Sequence, residues 1–298
     1  MKVGLQLPSF SFPGWPGSIA PTLVEIAQAA EAAGLASLWL MDHLFQLPEH
    51  TGWGGPDEPM LEAYTTLGFL ARSTSTIELG PMVAGVVHRH PGFLVKTATT
   101  LDVLSGGRSW FAVGASWYER EARGLGVPYP ARPERFDLLE DTLELAHRMW
   151  SDDRRPFQGR RIRLDEPISV PRPVARPRPR IMVGGNGERR TLALVARYAD
   201  ACNILVPDPG ESRRKVEVLK RHCDEIGRRF EEIETTALLE IDLRPGRMTA
   251  AEVVTALSAQ ASEGIGHAIV NMPEVHDLGH LDVLRREVVP AVAELSAA

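Results

Sequence analysis

Residues Ile181 to Asn203 read IMVGGNGERRTLALVARYADACN. The apolar run that opens this stretch ends in Gly184-Gly185-Asn186-Gly187, and the spacing predicts a helix from Glu188. The order is strand, glycine turn, helix N-terminus. Three glycines in four positions permit positive φ and leave no side chains in the way. Successive backbone N–H groups can then converge beside the positive end of a helix dipole, where a phosphate would sit. A strand-to-helix turn without any ligand accounts for these four residues equally well, so the rest of the chain has to decide.

Upstream, Val3 to Leu7 reads as a strand closed by Pro8, and Leu23, Ile26, Ala27, Ala30 and Ala33 recur at helical spacing between Pro21 and Gly34. Leu38 to Met41 is a second strand ended by Asp42-His43, followed by a helix over about Leu61 to Arg72. Ile77 to Val83 is a third strand, and HRHP leads from it into a helix over Gly92 to Leu104. Ser109 to Val113 is a fourth strand, and Phe136, Leu139, Leu143 and Trp150 mark one face of a helix over Glu134 to Trp150. Long loops fall at 43–60 and 115–132. The insertion 154–179 holds PFQGRRIRL, which has the look of a small hairpin, and a proline-rich run unsuited to helix or central strand.

Downstream, Ala201 to Val206, Thr235 to Leu243 and His267 to Asn271 are strands. Helices over Glu211 to Gly227, Ala250 to Glu263 and Leu278 to Leu295 follow them in turn. Eight strands alternating with eight helices imply parallel pairing with right-handed crossovers, and eight such units close. The expectation is an α/β fold, a single (β/α)8 TIM barrel over 1–298.

A barrel sorts residues by face. Those just after a strand lie at the catalytic rim, and those just before one lie at the opposite rim. Asp42, His43, Gly85, Gly114, Ser116, Tyr118, Gly184 to Gly187, Pro207 and Asn271 should therefore converge. Arg172, Arg176, Arg178 and Arg180 lead into a strand and belong to the far rim. Asp42 and His43, adjacent at a strand end, should point to opposite sides and serve separate partners. His43 is the candidate proton donor or acceptor, since an imidazole titrates near 6.5.

Several chemistries are excluded. There is no Gly-Lys pair for a GxxxxGK phosphate loop, Gly185-x-Gly187 lacks the third glycine of a dinucleotide fingerprint, and Gly114-Ala115-Ser116 continues as Trp117-Tyr118 without the closing glycine of an esterase elbow. None of the lysines, Lys2, Lys96, Lys215 and Lys220, lies in the upper half of a strand for Schiff-base chemistry. His88-x-His90 resembles a ligand pair but sits at a helix entry without the carboxylate a barrel hydrolase needs, so no metal site is expected. The net charge of −6 gives no general pull toward nucleic acid or an anionic membrane. Cys202 and Cys223, the only cysteines, suggest neither a disulfide framework nor a CxxC site. That fits a reducing cytoplasm, and no apolar span is long enough for a bilayer.

LWLMDHL, LGPMV, HRHP with KTATTLDVLSGGR, FAVGASWYERE, PERFDLLEDTLEL and VGGNGERRTLALVARYADACN together resemble the luciferase-like monooxygenase superfamily over nearly the whole chain. The MDH turn and the GGNGERR loop look most like its branch that uses the deazaflavin coenzyme F420. The resemblance implies a cofactor ring in the barrel mouth, backed by a third-strand bulge whose cis peptide matches Met82-Val83. It puts Asp42, Gly85 and Tyr118 beside the ring or its ribityl chain and the phosphate on Gly184, Gly185, Asn186 and Gly187, and Gly114 on the same rim is a further cofactor-binding candidate. His43 matches the acid/base histidine of sugar-phosphate dehydrogenases, and Tyr118 is the second candidate for the proton. Those dehydrogenases carry a carboxylate where this chain has Ala115, which argues against sugar-phosphate oxidation. Phe45, Leu47, Trp53 and Trp117 suit a small apolar substrate, or else loop packing. The expectation is thus an F420-dependent oxidoreductase, a homodimer by analogy. The alternatives are a monooxygenase using reduced FMN and oxygen, a non-catalytic cofactor-binding barrel, and a metal hydrolase.

Overall fold

Most strands of this chain are buried on both faces, which is why they read as near-continuous apolar runs. The computed structural model describes residues 1–47, 52–205 and 210–295. In chain order the elements are β1 (Lys2–Leu7), α1 (Ile19–Ala32), β2 (Ser37–Leu40), α2 (Ala63–Ser73), β3 (Glu78–Pro81), β4 (Ala84–Gly85), α3 (Pro91–Ser105) and β5 (Trp110–Gly114). Then come α4 (Glu119–Gly124), α5 (Arg132–Trp150), β6 (Phe157–Gln158), β7 (Arg163–Leu164), β8 (Arg180–Gly184), α6 (Thr191–Tyr198), β9 (Ala201–Leu205) and α7 (Glu211–Ile226). The chain ends with β10 (Glu234–Glu240), α8 (Ala250–Ser262), β11 (His267–Asn271), α9 (Leu278–Val283), a π turn over Leu284–Val288 and α10 (Val289–Val292).

The main sheet runs β3-β2-β1-β11-β10-β9-β8-β5-β4, parallel throughout. A bridge from Leu79 to Ser109 joins β3 to the chain entering β5. β3 and β4 are therefore two halves of one stave, and eight staves make the (β/α)8 barrel. The expected third strand is interrupted at Met82 and Val83, whose peptide bond is cis. β6 and β7 pair antiparallel as a short hairpin outside the barrel.

Period-two alternation sorts each stave. Ile181 and Val183 pack under the helices, whereas Met182 joins Trp39, Trp110 and Ile269 inside the barrel. The two indoles lie 5.7 Å apart and leave room only for Gly80 beside them, since a Cβ there would come within 2.6 Å of Trp39 and 3.0 Å of Trp110. Below them a polar layer closes the N-terminal end. Ser37 Oγ meets His267 Nε2 at 3.0 Å, His267 Nδ1 meets Glu234 at 3.0 Å, and Trp110 Nε1 donates to Glu78 at 2.7 Å. Two of the arginines sorted to this rim are paired here, Arg178 with Asp200 and Arg180 with Glu234, each at 2.5 Å.

Several boundaries differ from the sequence reading, among them α1, which begins at Ile19 rather than Pro21, and β10, which ends at Glu240 rather than Leu243. α6 begins at Thr191 rather than Glu188, because the Leu192 amide reaches back five residues to the Gly187 carbonyl at 3.0 Å and closes a wider turn than an α-helix allows. The second long loop contains α4, whose inner face buries Glu121 and Ala122. The last helix breaks into three pieces, since Pro290 has no amide to continue the ladder. β9 covers Ala201–Leu205 of the expected strand, and Val206 and Pro207 lie outside the described residues, as does part of the loop 43–60. Among the described residues no helix is long and apolar enough to cross a membrane.

Candidate active site

Asp42 and His43 leave β2 in opposite directions, and each finds its own partner. Asp42 is buried and takes the Arg89 guanidinium as a fork, with both N–O distances 2.7 Å, and the Gly85 amide at 3.0 Å. Arg89 also pairs with Glu62 and lies 5.2 Å from the centre of the Tyr64 ring. Burial pushes the Asp42 carboxyl up, but His88 and Arg89 outweigh it and hold it below the usual carboxylate range. His43 Nδ1 meets Glu121 Oε1 at 2.9 Å, and the other Glu121 oxygen accepts the Leu44 amide at 2.8 Å. The Trp117 and Tyr118 rings stand edge-on to His43, with centroids 5.6 and 6.2 Å away.

His88 bridges the two carboxylates. Its Nε2 lies 3.4 Å from Glu121 Oε1, and its Nδ1 lies 3.4 Å from Asp42 Oδ2 without hydrogen-bond alignment. Burial disfavours the imidazolium, yet the flanking carboxylates raise His88 to about 9. Burial likewise pushes Glu121 up, while His43, His88 and the Leu44 amide bring it down to about 2. At neutral pH the cluster is thus an alternating row: Arg89 cation, Asp42 anion, His88 cation, Glu121 anion, then His43.

A second group meets it across the barrel mouth. Val83 projects from the break between β3 and β4 onto Gly114 and Gly184, where an added Cβ would come within 2.9 and 2.8 Å of its methyls. Two residues further on, Gly85 borders both Ser116 Oγ and His88 Nδ1. A Cβ there would be 2.7 and 2.9 Å from them, and both atoms are buried without a hydrogen bond. In the glycine turn, Gly185 sits at φ +124° and its amide donates to Asn203 O at 3.0 Å. The Asn186 side chain latches the Leu205 backbone at 2.6 and 2.9 Å. The amides of Asn186, Gly187 and Glu188 donate to no acceptor among the described residues. The sequence-derived candidates thus form an arc, from Gly184 through Val83 and Gly114 to Gly85, Asp42 and His43, with Met82 buried beneath and Tyr118 at the far end.

A cavity of about 410 Å³ opens on the same rim, over the ends of β1, β10 and β11. Phe12, Trp53, Glu240, Arg244 and His276 line it, whereas His43 and the glycine turn do not. Its arginine is occupied, forking Asp242 at 2.9 and 2.8 Å. Leu47 is core. His90 caps α3, accepting the Gly92 amide at 3.2 Å, so it diverges from His88. Among the described residues no group of three or more His, Cys, Asp or Glu could hold a metal ion. Sequence reasoning weighed His88 only as a metal ligand and set it aside as a helix-entry residue, and it passed over Arg89 and Glu121. HRHP offered a signal for the first two, as a polar run entering a buried helix, while Glu121 offered none in a segment as charged as ERE.

The F420-dependent glucose-6-phosphate dehydrogenase of Nakamurella multipartita is 29% identical over 231 residues, 76% of this chain, and the match spans 64% of that relative's length. An F420-dependent secondary alcohol dehydrogenase in complex with an F420-acetone adduct superposes with a TM-score of 0.81 at 19% identity, covering 98% of both chains. A riboflavin lyase with modified FMN and riboflavin gives 0.81 at 15% identity, covering 100% of this chain and 92% of the other. At such identities the two structures speak for the fold. The family model of luciferase-like monooxygenases matches residues 1–287, and the chain belongs to that family.

Proposed function

We propose that the protein is an oxidoreductase that moves hydride between coenzyme F420 and a small organic substrate. The observation that carries this reading is the set of unpaired polar atoms along one arc of the rim. The Asn186, Gly187 and Glu188 amides donate to no protein acceptor among the described residues at one end, and the buried Ser116 Oγ has no hydrogen-bond partner at the other. A ligand with an anionic tail and a polar, flat head satisfies both ends. Asn186 and Gly187 would bind the phosphate, with Gly184 and Gly185 leaving it room. Met82 and Val83 would back the ring, and Asp42, Gly85, Gly114 and Tyr118 would flank it. When bound, F420 supplies a two-electron hydride carrier.

The chain's own part is the proton. Glu121 occupies His43 Nδ1, so Nε2 is the nitrogen that takes the proton from substrate or returns it. Trp117 and Tyr118 stand edge-on to that imidazole and Phe45 packs on Tyr118, an aromatic surround that supports an apolar substrate. Ala115 offers no carboxylate of the kind a sugar-phosphate oxidation would use. We further propose a cytoplasmic homodimer, supported by the buried free thiols Cys202 and Cys223 and by the exposed Phe69, Phe93 and Leu104 on neighbouring α2 and α3.

Titration with F420 and with FMN, followed by quenching of tryptophan fluorescence, tests the choice. Binding of F420 at lower concentration, with anaerobic change in its absorbance when enones, imines or alcohols are added, is the expected result. Tight FMN binding without F420 binding would instead mean a monooxygenase using reduced FMN. Binding of F420 with no turnover across the panel would mean a non-catalytic barrel.

A further inference from the structure

Glu121 is one carboxylate serving two imidazoles. It is 1% exposed, and its Oε1 faces His43 Nδ1 at 2.9 Å and His88 Nε2 at 3.4 Å. A carboxylate this deep needs a cation. Arg89 is already committed, with its fork on Asp42 and its remaining contact on Glu62. His88, 5% exposed and flanked by Asp42 and Glu121, can be that cation, whereas His43, 16% exposed, is the ring with a nitrogen left for chemistry.

We propose that His88 is a positioning residue that sets the proton affinity of His43 through their shared carboxylate. With His88 carrying the charge, Glu121 is half satisfied, and His43 donates its Nδ1 proton to it while remaining neutral. Without that charge, the full anion falls on His43 and draws a second proton onto its ring, leaving Nε2 blocked as a base. The ion pairs of Glu121 are with His43 and His88. Tyr118 packs edge-on to His43, the Arg120 guanidinium lies over the Phe45 ring, Tyr129 with Arg135 over its ring feels the Glu121 charge, and Asp42, on the other side of His88, is forked by Arg89. The assignment of His43 to substrate chemistry rests on the proposed oxidoreductase reading, but the charge coupling does not.

The coupling is read without coenzyme, by imidazole 15N and 13C NMR on the free protein across a pH titration. His88 is expected to stay protonated after His43 has lost its proton. In His88→Asn the His43 midpoint rises by on the order of one pH unit, since two unit charges no more than about 6 Å apart repel appreciably even in a polar interior. His88→Lys restores the charge and brings the midpoint back, and Glu121→Gln lowers it. A His43 midpoint that ignores His88→Asn, that moves equally in the Asn and Lys variants, or that lies above the midpoint of His88 overturns the proposal. If NMR shows the coupling and F420 turnover is absent, the charge relation stands and the oxidoreductase reading fails. If turnover is present, the acidic limb of its pH profile, where protonation removes the His43 base, shifts with the NMR midpoint.

Discussion

Substituting Gly184 by alanine puts the geometry of the barrel mouth to a quantitative test. The backbone at Gly184 lies outside the left-handed region, so alanine is conformationally allowed there, and its smaller unfolded-state entropy alone would stabilise the fold by about 0.4–1 kcal/mol. The new methyl, however, would sit 2.8 Å from one Val83 methyl and 3.0 Å from the other. The Val83 Cγ2 methyl already lies over Gly114 of the neighbouring strand, where an added Cβ would come within 2.9 Å, so Val83 sits closely on both strands and has little room to shift. Overpacking of this kind costs about 1–3 kcal/mol, and the net effect of Gly184→Ala should be a loss of about 1–2 kcal/mol. In a Val83→Ala background the obstructing methyls are gone and only the entropic gain remains, so the same substitution should stabilise by about 0.5 kcal/mol. Urea unfolding of the wild type, both single variants and the double variant gives the cycle directly. An equal cost of Gly184→Ala in both backgrounds would falsify the claim that this glycine exists to seat Val83.

Three further outcomes follow from the same contacts. Arg89→Leu should destabilise by about 3–5 kcal/mol, because it leaves the Asp42 carboxylate buried without its fork, and a loss within experimental error in urea would remove that pair from the account. Glu121→Gln should cost about 3 kcal/mol near pH 5.5. Glu121's contribution is present above its unfolded value of 4.5 and lost as pH falls through about 2, and that of His88 is present below 6.5 and lost as pH rises through about 9. The gap between wild type and variant therefore narrows on both sides of that window, and a gap independent of pH refutes the pairing. Gly187→Ala, whose Cβ would lie 2.6 Å from Thr191 Oγ1, should weaken F420 binding by about tenfold, or ~1.4 kcal/mol, in a fluorescence titration. Unchanged affinity would move the phosphate elsewhere.

The barrel was legible because period and order are properties of the chain itself: Ile181, Met182 and Val183 are apolar on both sides, and every such run is followed by a helical pattern. Asp42 and His43 could be separated because successive residues of a strand face apart, and the coordinates give them Arg89 and Glu121 as distinct partners. Glu121 could not be found this way. Its burial depends on a contact 78 residues away, and in α4 it stands among Glu119, Arg120 and Arg123, which face solvent with equal charge and no period to tell them apart. The role of His88 was hidden for a related reason, since which residue of HRHP turns inward is decided by where β4 resumes after Val83.

The glycine turn shows where the boundary of such reasoning lies. Counting glycines identified a backbone free of side chains, but a free backbone is not a free donor, because every buried amide seeks an acceptor and adjacent staves supply one first. Asn203 on β9 claims the Gly185 amide, and the Asn186 side chain is spent holding Leu205. Two of the four positions therefore shape the turn, and the open donors begin one residue later than a dipole argument alone would put them. Because α6 starts only at Thr191, any anion gathered here depends on the Asn186, Gly187 and Glu188 amides themselves more than on the helix behind them. A phosphate site of this kind should be sensitive to a single added methyl at Gly187 and insensitive to charge changes in the first turn of α6, which is the contrast a helix-dipole site would reverse.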